Sequence, residues 1–126
     1  MTRPARISEA EWEIMKVIWK HAPASAHDIV RSLGTHRRWS PATVKTFLNR
    51  LLAKGVIRYE KRGRAYFYSA AGPEAEFRTA EADSFLRRVF DGAFSPLLAH
   101  FVQTRRLTAR DWEALEQIVR ERKRTP

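Results

Sequence analysis

Residues 39–55 read W-S-P-A-T-V-K-T-F-L-N-R-L-L-A-K-G, and they predict a helix with both ends marked. Ser40 is a good N-cap, because its hydroxyl can accept from an orphan N–H of the first turn. Pro41 falls at the first helical position, where a missing N–H costs nothing. Trp39 and Val44 are spaced to form a hydrophobic staple, and Gly55 can supply the left-handed residue that ends the helix. Between the caps, Val44, Phe47, Leu48, Leu51 and Leu52 make one apolar stripe. Ala42, Thr46, Asn49 and Ala53 line the opposite face, with Thr43, Lys45 and Arg50 beside them. A solvated helix face ordinarily alternates Glu and Lys; this one carries no acid. Small, hydrogen-bonding and flanked by cations, it has the composition of a helix that lies against DNA.

The charge around this helix has the same sign. The 126 residues carry a net charge of +10, and the excess is confined to one half. Residues 1–71 hold 14 Lys and Arg against 5 Asp and Glu, whereas residues 72–126 hold 10 against 9. Within 31–64 there are ten cations and a single acid, Glu60. Such concentration points to a polyanion bound by the first half. Nucleic acid is favoured over a membrane surface, because no basic amphipathic helix there has a large apolar face.

Working outward toward the N-terminus, Arg37 and Arg38 sit in a basic loop, Thr35–Trp39. Ser25 with Asp28 starts a short second helix that Gly34 ends. Ser8 and Glu11 form a capping box with Ile7 just before it. They open a first helix over roughly 9–21, with Trp12, Ile14, Met15, Ile18 and Trp19 as its apolar stripe and Ala22-Pro23 as its stop. Toward the C-terminus the period changes from 3.6 to 2. Val56, Ile57 and Tyr59, then Ala65–Ser69, read as two strands joined by a tight turn at Lys61-Arg62-Gly63-Arg64. Three helices followed by a hairpin with a cationic tip describe a winged helix-turn-helix, whose third helix enters the major groove.

Gly72-Pro73 marks the expected domain boundary, giving a DNA-binding domain at 1–71 and a helical dimerisation domain at 72–126. The fold class is therefore mainly α with a small β-hairpin. A fourth helix is expected from about Glu74 to Asp91. A fifth is capped by Ser95-Pro96, and a sixth by the box Thr108/Asp111. Phe77, Phe85, Leu86, Val89, Leu97, Leu98, Phe101, Trp112, Leu115 and Ile118 are too many large apolar groups for about 50 residues to bury alone. A second copy of the segment is the economical cover, since a homodimer sets two recognition helices on a palindromic operator.

Several function classes are excluded. With no cysteine, disulfides, thiolate chemistry, Fe–S clusters and Cys-based zinc sites are ruled out. His21, His27 and His36 lack any paired ligand spacing. Ser25, His27 and Asp28 cannot form a triad, because neighbouring helix residues diverge. There is no Gly-rich phosphate loop. No enzyme activity, metal or cofactor is expected. No apolar run approaches the roughly 18 residues of a membrane span, and residues 7–19 are interrupted by Glu9, Glu11, Glu13 and Lys16, unlike a signal peptide. A cytoplasmic protein without membrane insertion is expected.

The chain resembles the penicillinase-repressor family, the BlaI/MecI/CopY transcriptional repressors. The matching stretches are I-S-E-A-E-W-E-I-M-K-V-I-W, S-A-H-D-I-V, S-P-A-T-V-K-T-F-L-N-R-L-L-A-K-G and Y-F-Y-S, together with the helical tail. The resemblance implies an N-terminal winged helix, a C-terminal helical domain that intertwines into a homodimer, and repression at an operator. It also implies inactivation by cleavage in the C-terminal domain after a membrane sensor's signal. In the best-known members the cut is at an Asn-Phe bond; here the corresponding dipeptide is His100-Phe101. The copper-responsive branch carries a cysteine-rich metal-binding tail, and this chain instead ends R-E-R-K-R-T-P.

Thr43, Lys45, Thr46, Asn49 and Arg50 are the expected DNA contacts of the third helix, with Asn49 suited to pair bidentately with an adenine edge. Arg37 and Arg38 from the loop, and Arg62 and Arg64 from the hairpin, are expected at phosphates. Two rivals are a winged-helix module for protein or RNA contact, which commonly lacks the cationic wing and the acid-free helix, and a repressor released by a small ligand or metal instead of proteolysis.

Overall fold

The computed structural model describes residues 6–104 and 106–124. Thr125-Pro126, the end of the cysteine-free tail, lie outside them. Among the described residues there are six helices and two strands. By packing they fall into two compact units, one up to Ala82 and one from Asp83.

The first unit begins with α1 (Glu9–His21), α2 (Ala26–Leu33) and α3 (Pro41–Ala53). Each starts where its side-chain chemistry says it should. Ser8 Oγ accepts from the Glu11 N–H at 3.2 Å while Glu11 Oε1 takes the Ser8 N–H at 2.8 Å. Ser25 and Asp28 do the same for α2, and the Ser25 N–H, followed by the Ser25 hydroxyl, holds the Asp28 carboxyl below its ordinary value. Ser40 Oγ accepts from the Thr43 N–H at 3.1 Å, with Pro41 in the first turn. The helix ends in Lys54 followed by Gly55 at φ +74°.

The apolar stripes of the three helices meet in one core. Ile14, Met15, Ile18, Ile29, Val44, Leu48 and Leu51 are fully buried, with Trp12, Trp19, Trp39 and Phe47 packed around them. Trp39 makes its ring contact with Phe47, centroids 5.0 Å apart, and Val44 turns to the core. Val17, off the expected stripe of α1, is buried too.

The hairpin pairs β1 (Ile57–Arg62) with β2 (Ala65–Ala70) antiparallel, in register from Ile57↔Ala70 to Arg62↔Ala65. The turn is thus shorter than the sequence pattern suggests. Only Gly63 and Arg64 form it, and Gly63 at φ +63° takes the backbone region that a two-residue hairpin turn needs at its first position. Lys61 and Arg62 belong to the strand. A further bridge ties Ala24 to Tyr68, each N–H donating to the other's carbonyl at 3.0 and 2.8 Å. The connection between α1 and α2 thereby anchors the wing to the helices, at the one hairpin tyrosine that is buried.

The helix α4 (Glu74–Phe90) begins in this unit. Phe77, expected at the dimer surface, instead packs on Trp19 with ring centroids 5.5 Å apart. Trp19 Nε1 also donates to the Gly72 carbonyl. These contacts keep the start of α4 with the first unit, so the division falls at Ala82/Asp83, ten residues beyond the expected Gly72-Pro73 region.

The second unit holds the rest of α4, then α5 (Phe94–Thr104) and α6 (Ala109–Arg124). Asp91 and Gly92, both at positive φ, end α4. The start of α5 precedes the expected cap: Ser95 lies inside the first turn and Pro96 is tolerated there, because first-turn N–H groups have no intrahelical acceptor. Thr108 and Asp111 cap α6 reciprocally, at 2.9 and 3.1 Å. No described residue of α4, α5 or α6 is buried.

Candidate nucleic-acid interface

The side chains singled out on α3 face away from the core. Lys45, Thr46, Asn49 and Arg50 are exposed and Thr43 is half-buried, whereas Val44, Leu48 and Leu51 on the other side are buried. Helix periodicity alone enforces this separation, since positions 44, 48 and 51 share the face opposite 42, 46, 49 and 53.

Two of the cations are held by rings. The Arg37 guanidinium lies over Trp39 at 5.5 Å and the Arg50 guanidinium over Phe47 at 5.6 Å, and the two rings contact each other. The result is a four-membered stack, Arg37–Trp39–Phe47–Arg50, joining the basic loop to the helix. Stacking on an aromatic face leaves the N–H edge of a guanidinium available to an anion. Trp39 and Phe47 therefore also orient two candidate phosphate ligands. The sequence carries a signal for this in the spacing of Arg37, Trp39, Phe47 and Arg50, but it requires the helix start to be known first.

The hydroxyls are more committed than the cations. Thr46 Oγ1 donates to the Ala42 carbonyl at 3.1 Å. A carbonyl can only accept, so the hydroxyl proton is directed inward and the remaining capacity of Thr46 is as an acceptor. In that arrangement Thr46 suits a base amino group better than a phosphate oxygen. Thr43 Oγ1 shares a hydrogen bond with Ser40 Oγ at 3.1 Å, so Thr43 first serves the cap. Asn49, exposed, keeps both amide functions for a base edge.

On the wing, Arg64 stands in the turn and Arg62 in β1, both exposed. Arg62 pairs with Glu60 at 3.3 Å and lies over Phe67 at 5.4 Å. Lys61 lies over Tyr66 at 5.7 Å, and Tyr66 meets Tyr59 edge-on. Among the described residues, Arg38, Lys45 and Arg64 form no ion pair. Another cation of the basic run, Lys54, points elsewhere: its Nζ donates to Glu11 Oε1 and to the Arg6 carbonyl. No spacing rule links Glu11 to Lys54, 43 residues apart. Among the described residues no group of His, Asp and Glu is placed to hold a metal ion, and no helix is long and apolar enough to cross a membrane.

This arrangement agrees with comparisons to known proteins. The sequence profile of the penicillinase repressor family matches residues 7–121. The chain belongs to the penicillinase repressor family. The penicillinase repressor of Bacillus licheniformis is 33% identical over 123 residues, covering 98% of this chain and 96% of that one. The methicillin resistance regulatory protein MecI of Mammaliicoccus sciuri is 34% identical over 113 residues, covering 90% and 92%. Among solved structures, the DNA-binding domain of the repressor BlaI is similar with a TM-score of 0.53 at 38% identity, over 60% of this chain and 93% of that chain. The monomeric form of Bacillus licheniformis BlaI in complex with the blaP half-operator matches with a TM-score of 0.51 over the same shares, also at 38% identity. Penicillinase repressors are regulators and not enzymes.

The residues of the second unit expected at a dimer surface are exposed or half-buried in the single chain. Trp112, Ile118, Phe101, Leu98, Val89 and Phe85 are among its exposed large hydrophobics. Leu98, Val102, Trp112, Leu115 and Val119 line an open groove of about 490 Å³ between α5 and α6. His100 and Phe101 both lie inside α5 and are exposed, their rings 5.8 Å apart.

Proposed function

We propose that this DNA-binding repressor acts as a homodimer on a palindromic operator in the cytoplasm, with α3 of each protomer in the major groove of one half-site. The observation that carries the reading is the outward face of α3, acid-free, exposed and flanked by ring-held arginines, in a chain of this family. Lys45, Arg50, Arg37, Arg38, Arg62 and Arg64 take phosphates and set the register; Asn49, with Thr46 as an acceptor, reads base edges. BlaI, 38% identical across this region, was solved bound to a half-operator. The second unit supports the homodimer: it buries none of its described helical residues within one chain and exposes an apolar surface large enough to need a partner.

Gel shift and footprinting with the region upstream of the protein's own gene, alongside sedimentation of the free protein, test both parts. A twofold-symmetric footprint from a dimer is expected. A monomer at micromolar concentration, or binding with no specific footprint, counts against the reading and favours a winged-helix module for protein or RNA contact.

Release follows from cleavage at His100–Phe101 by a membrane sensor protease system. Because that bond lies within α5, the helix must unwind locally before an extended segment can enter a protease. Incubation with the candidate sensor protease and sequencing of the fragments decides the point. An intact bond under inducing conditions removes proteolysis there and leaves a small ligand or metal as the signal.

A further inference from the structure

Lys54 belongs by sequence to the basic run that supplies the proposed DNA contacts, yet its half-buried ammonium is engaged with the protein itself. It donates to Glu11 Oε1 and, at 2.8 Å, to the Arg6 carbonyl. Glu11 is 1% exposed, a charged residue among the largest buried side chains. Its Oε1 also takes the Ser8 N–H, and its Oε2 is buried without a hydrogen-bond partner. Burial pushes the Glu11 carboxyl up. The Lys54 ammonium and the Ser8 N–H and hydroxyl together outweigh it and hold the group below its ordinary value. The carboxylate is in the first turn of α1 and the ammonium on the residue that closes α3, so each charge also complements its own helix end.

The other attachments of α3 are apolar. Val44, Leu48 and Leu51 bury the helix, but hydrophobic contact is non-directional and tolerates small rotations and slips. An ion pair whose carboxylate is buried and whose ammonium is half-buried, with defined partners on both sides, does not.

Resting on the DNA-binding reading above, we propose that the Glu11–Lys54 pair is a positioning device for operator recognition. It fixes the pose in which α3 presents Lys45, Thr46, Asn49 and Arg50, and Lys54 binds no phosphate. A binding group that is in its competent pose about a tenth of the time loses about tenfold in affinity. Recognition of bases needs that pose; non-specific attraction to phosphates does not.

Glu11→Gln and Lys54→Met, made in the full chain, test this by fluorescence anisotropy. The probes are a labelled duplex from upstream of the protein's own gene and a random-sequence duplex of equal length, used below the melting transition of each variant. Simple electrostatics expects Glu11→Gln, which removes an acid, to tighten both complexes. The clamp expects it to weaken the specific complex by about tenfold and to leave the random duplex bound as well as before or better. For Lys54→Met the clamp expects a similar specific loss with the salt slope unchanged, whereas a phosphate ligand would reduce that slope by about 1. Tighter specific binding by Glu11→Gln, or a slope reduced by about 1 in Lys54→Met, overturns the proposal. If Lys54→Met does not fold, Glu11→Gln still decides, because its amide oxygen keeps the Ser8 cap. Hydrogen exchange of the free protein separates the clamp from the DNA reading. Faster exchange along the second half of α3 in Glu11→Gln supports the clamp even if the wild type prefers neither duplex; unchanged exchange overturns it.

Discussion

Ionic strength is the sharpest probe of the interface, and the structure sets the size of the response. Six candidate phosphate ligands per protomer are exposed: Arg37, Arg38, Lys45, Arg50, Arg62 and Arg64. Lys54 is outside the count because its ammonium is engaged with Glu11. At about 0.9 released counterion per neutralised phosphate, six contacts give a log–log slope of about −5 per protomer, and about twice that for a dimer on a full operator. Raising the salt from about 50 to 200 mM then weakens a half-site complex by roughly 10³. The wing provides an internal check. Arg64 has no ion pair among the described residues, so Arg64→Ala makes the slope shallower by about 1. Glu60, the single acid of the basic run, lies 3.3 Å from Arg62; Glu60→Gln frees that guanidinium and tightens binding without making the slope shallower. Anisotropy titrations at four salt concentrations measure all three. A wild-type slope weaker than about −2 per protomer, or an Arg64→Ala slope equal to wild type, refutes this assignment of the contacts.

Three further outcomes follow from the packing. The folded-state pKa of Glu11 lies below its ordinary value of 4.5; its ionised form therefore stabilises the first unit above that pH, and the contribution fades as pH falls through the folded value. Urea midpoints between about pH 6 and 3 drop in the wild type and flatten in Glu11→Gln; parallel curves would show that Glu11 contributes nothing to acid sensitivity. Leu48→Ala removes a fully buried side chain and costs about 2–5 kcal/mol, lowering the melting midpoint by more than about 10 °C; a loss below about 1 kcal/mol means the core closes over the cavity. Ile118 is 64% exposed in the single chain, so Ile118→Glu leaves the helical circular dichroism unchanged and shifts sedimentation from dimer to monomer; a variant that still dimerises removes α6 from the interface.

The features legible in the sequence are those whose physics is local. Ser8/Glu11, Ser25/Asp28, Ser40-Pro41 and Thr108/Asp111 all sit at the starts of observed helices, because a cap is completed within four residues. The two faces of α3 were likewise readable, since a 3.6-residue period determines which positions oppose one another. Illegible features are those in which a residue type has two uses. An aromatic at position 77 fits a dimer surface and a domain core equally well, and only the nearby Trp19 decides between them. A lysine in a basic run has the same letter whether it faces DNA or a buried glutamate. Arg62 reads as turn or strand until the register places its partner at Ala65. The Ala24–Tyr68 bridge has no local signal, as it joins residues far apart in the chain.

The small number of base readers on α3 bears on why the second unit matters. In the proposed complex most of the basic residues address phosphates, which raise affinity for any duplex. In that complex sequence discrimination would fall to Asn49 and, with its proton turned toward Ala42, to Thr46 as an acceptor. A good bidentate contact discriminates by about 1–3 kcal/mol, so Asn49 would supply roughly that much per protomer, and the single acceptor of Thr46 less. Specific sites exceed non-specific DNA by about 4–10 kcal/mol. One protomer then falls below that range, and two held together reach its lower part. If the second unit holds the proposed dimer together, its loss removes half the discrimination while leaving each first unit its cations. Under the proposed cleavage within α5, each first unit would still adhere to DNA but would keep only its own half of the preference for the operator.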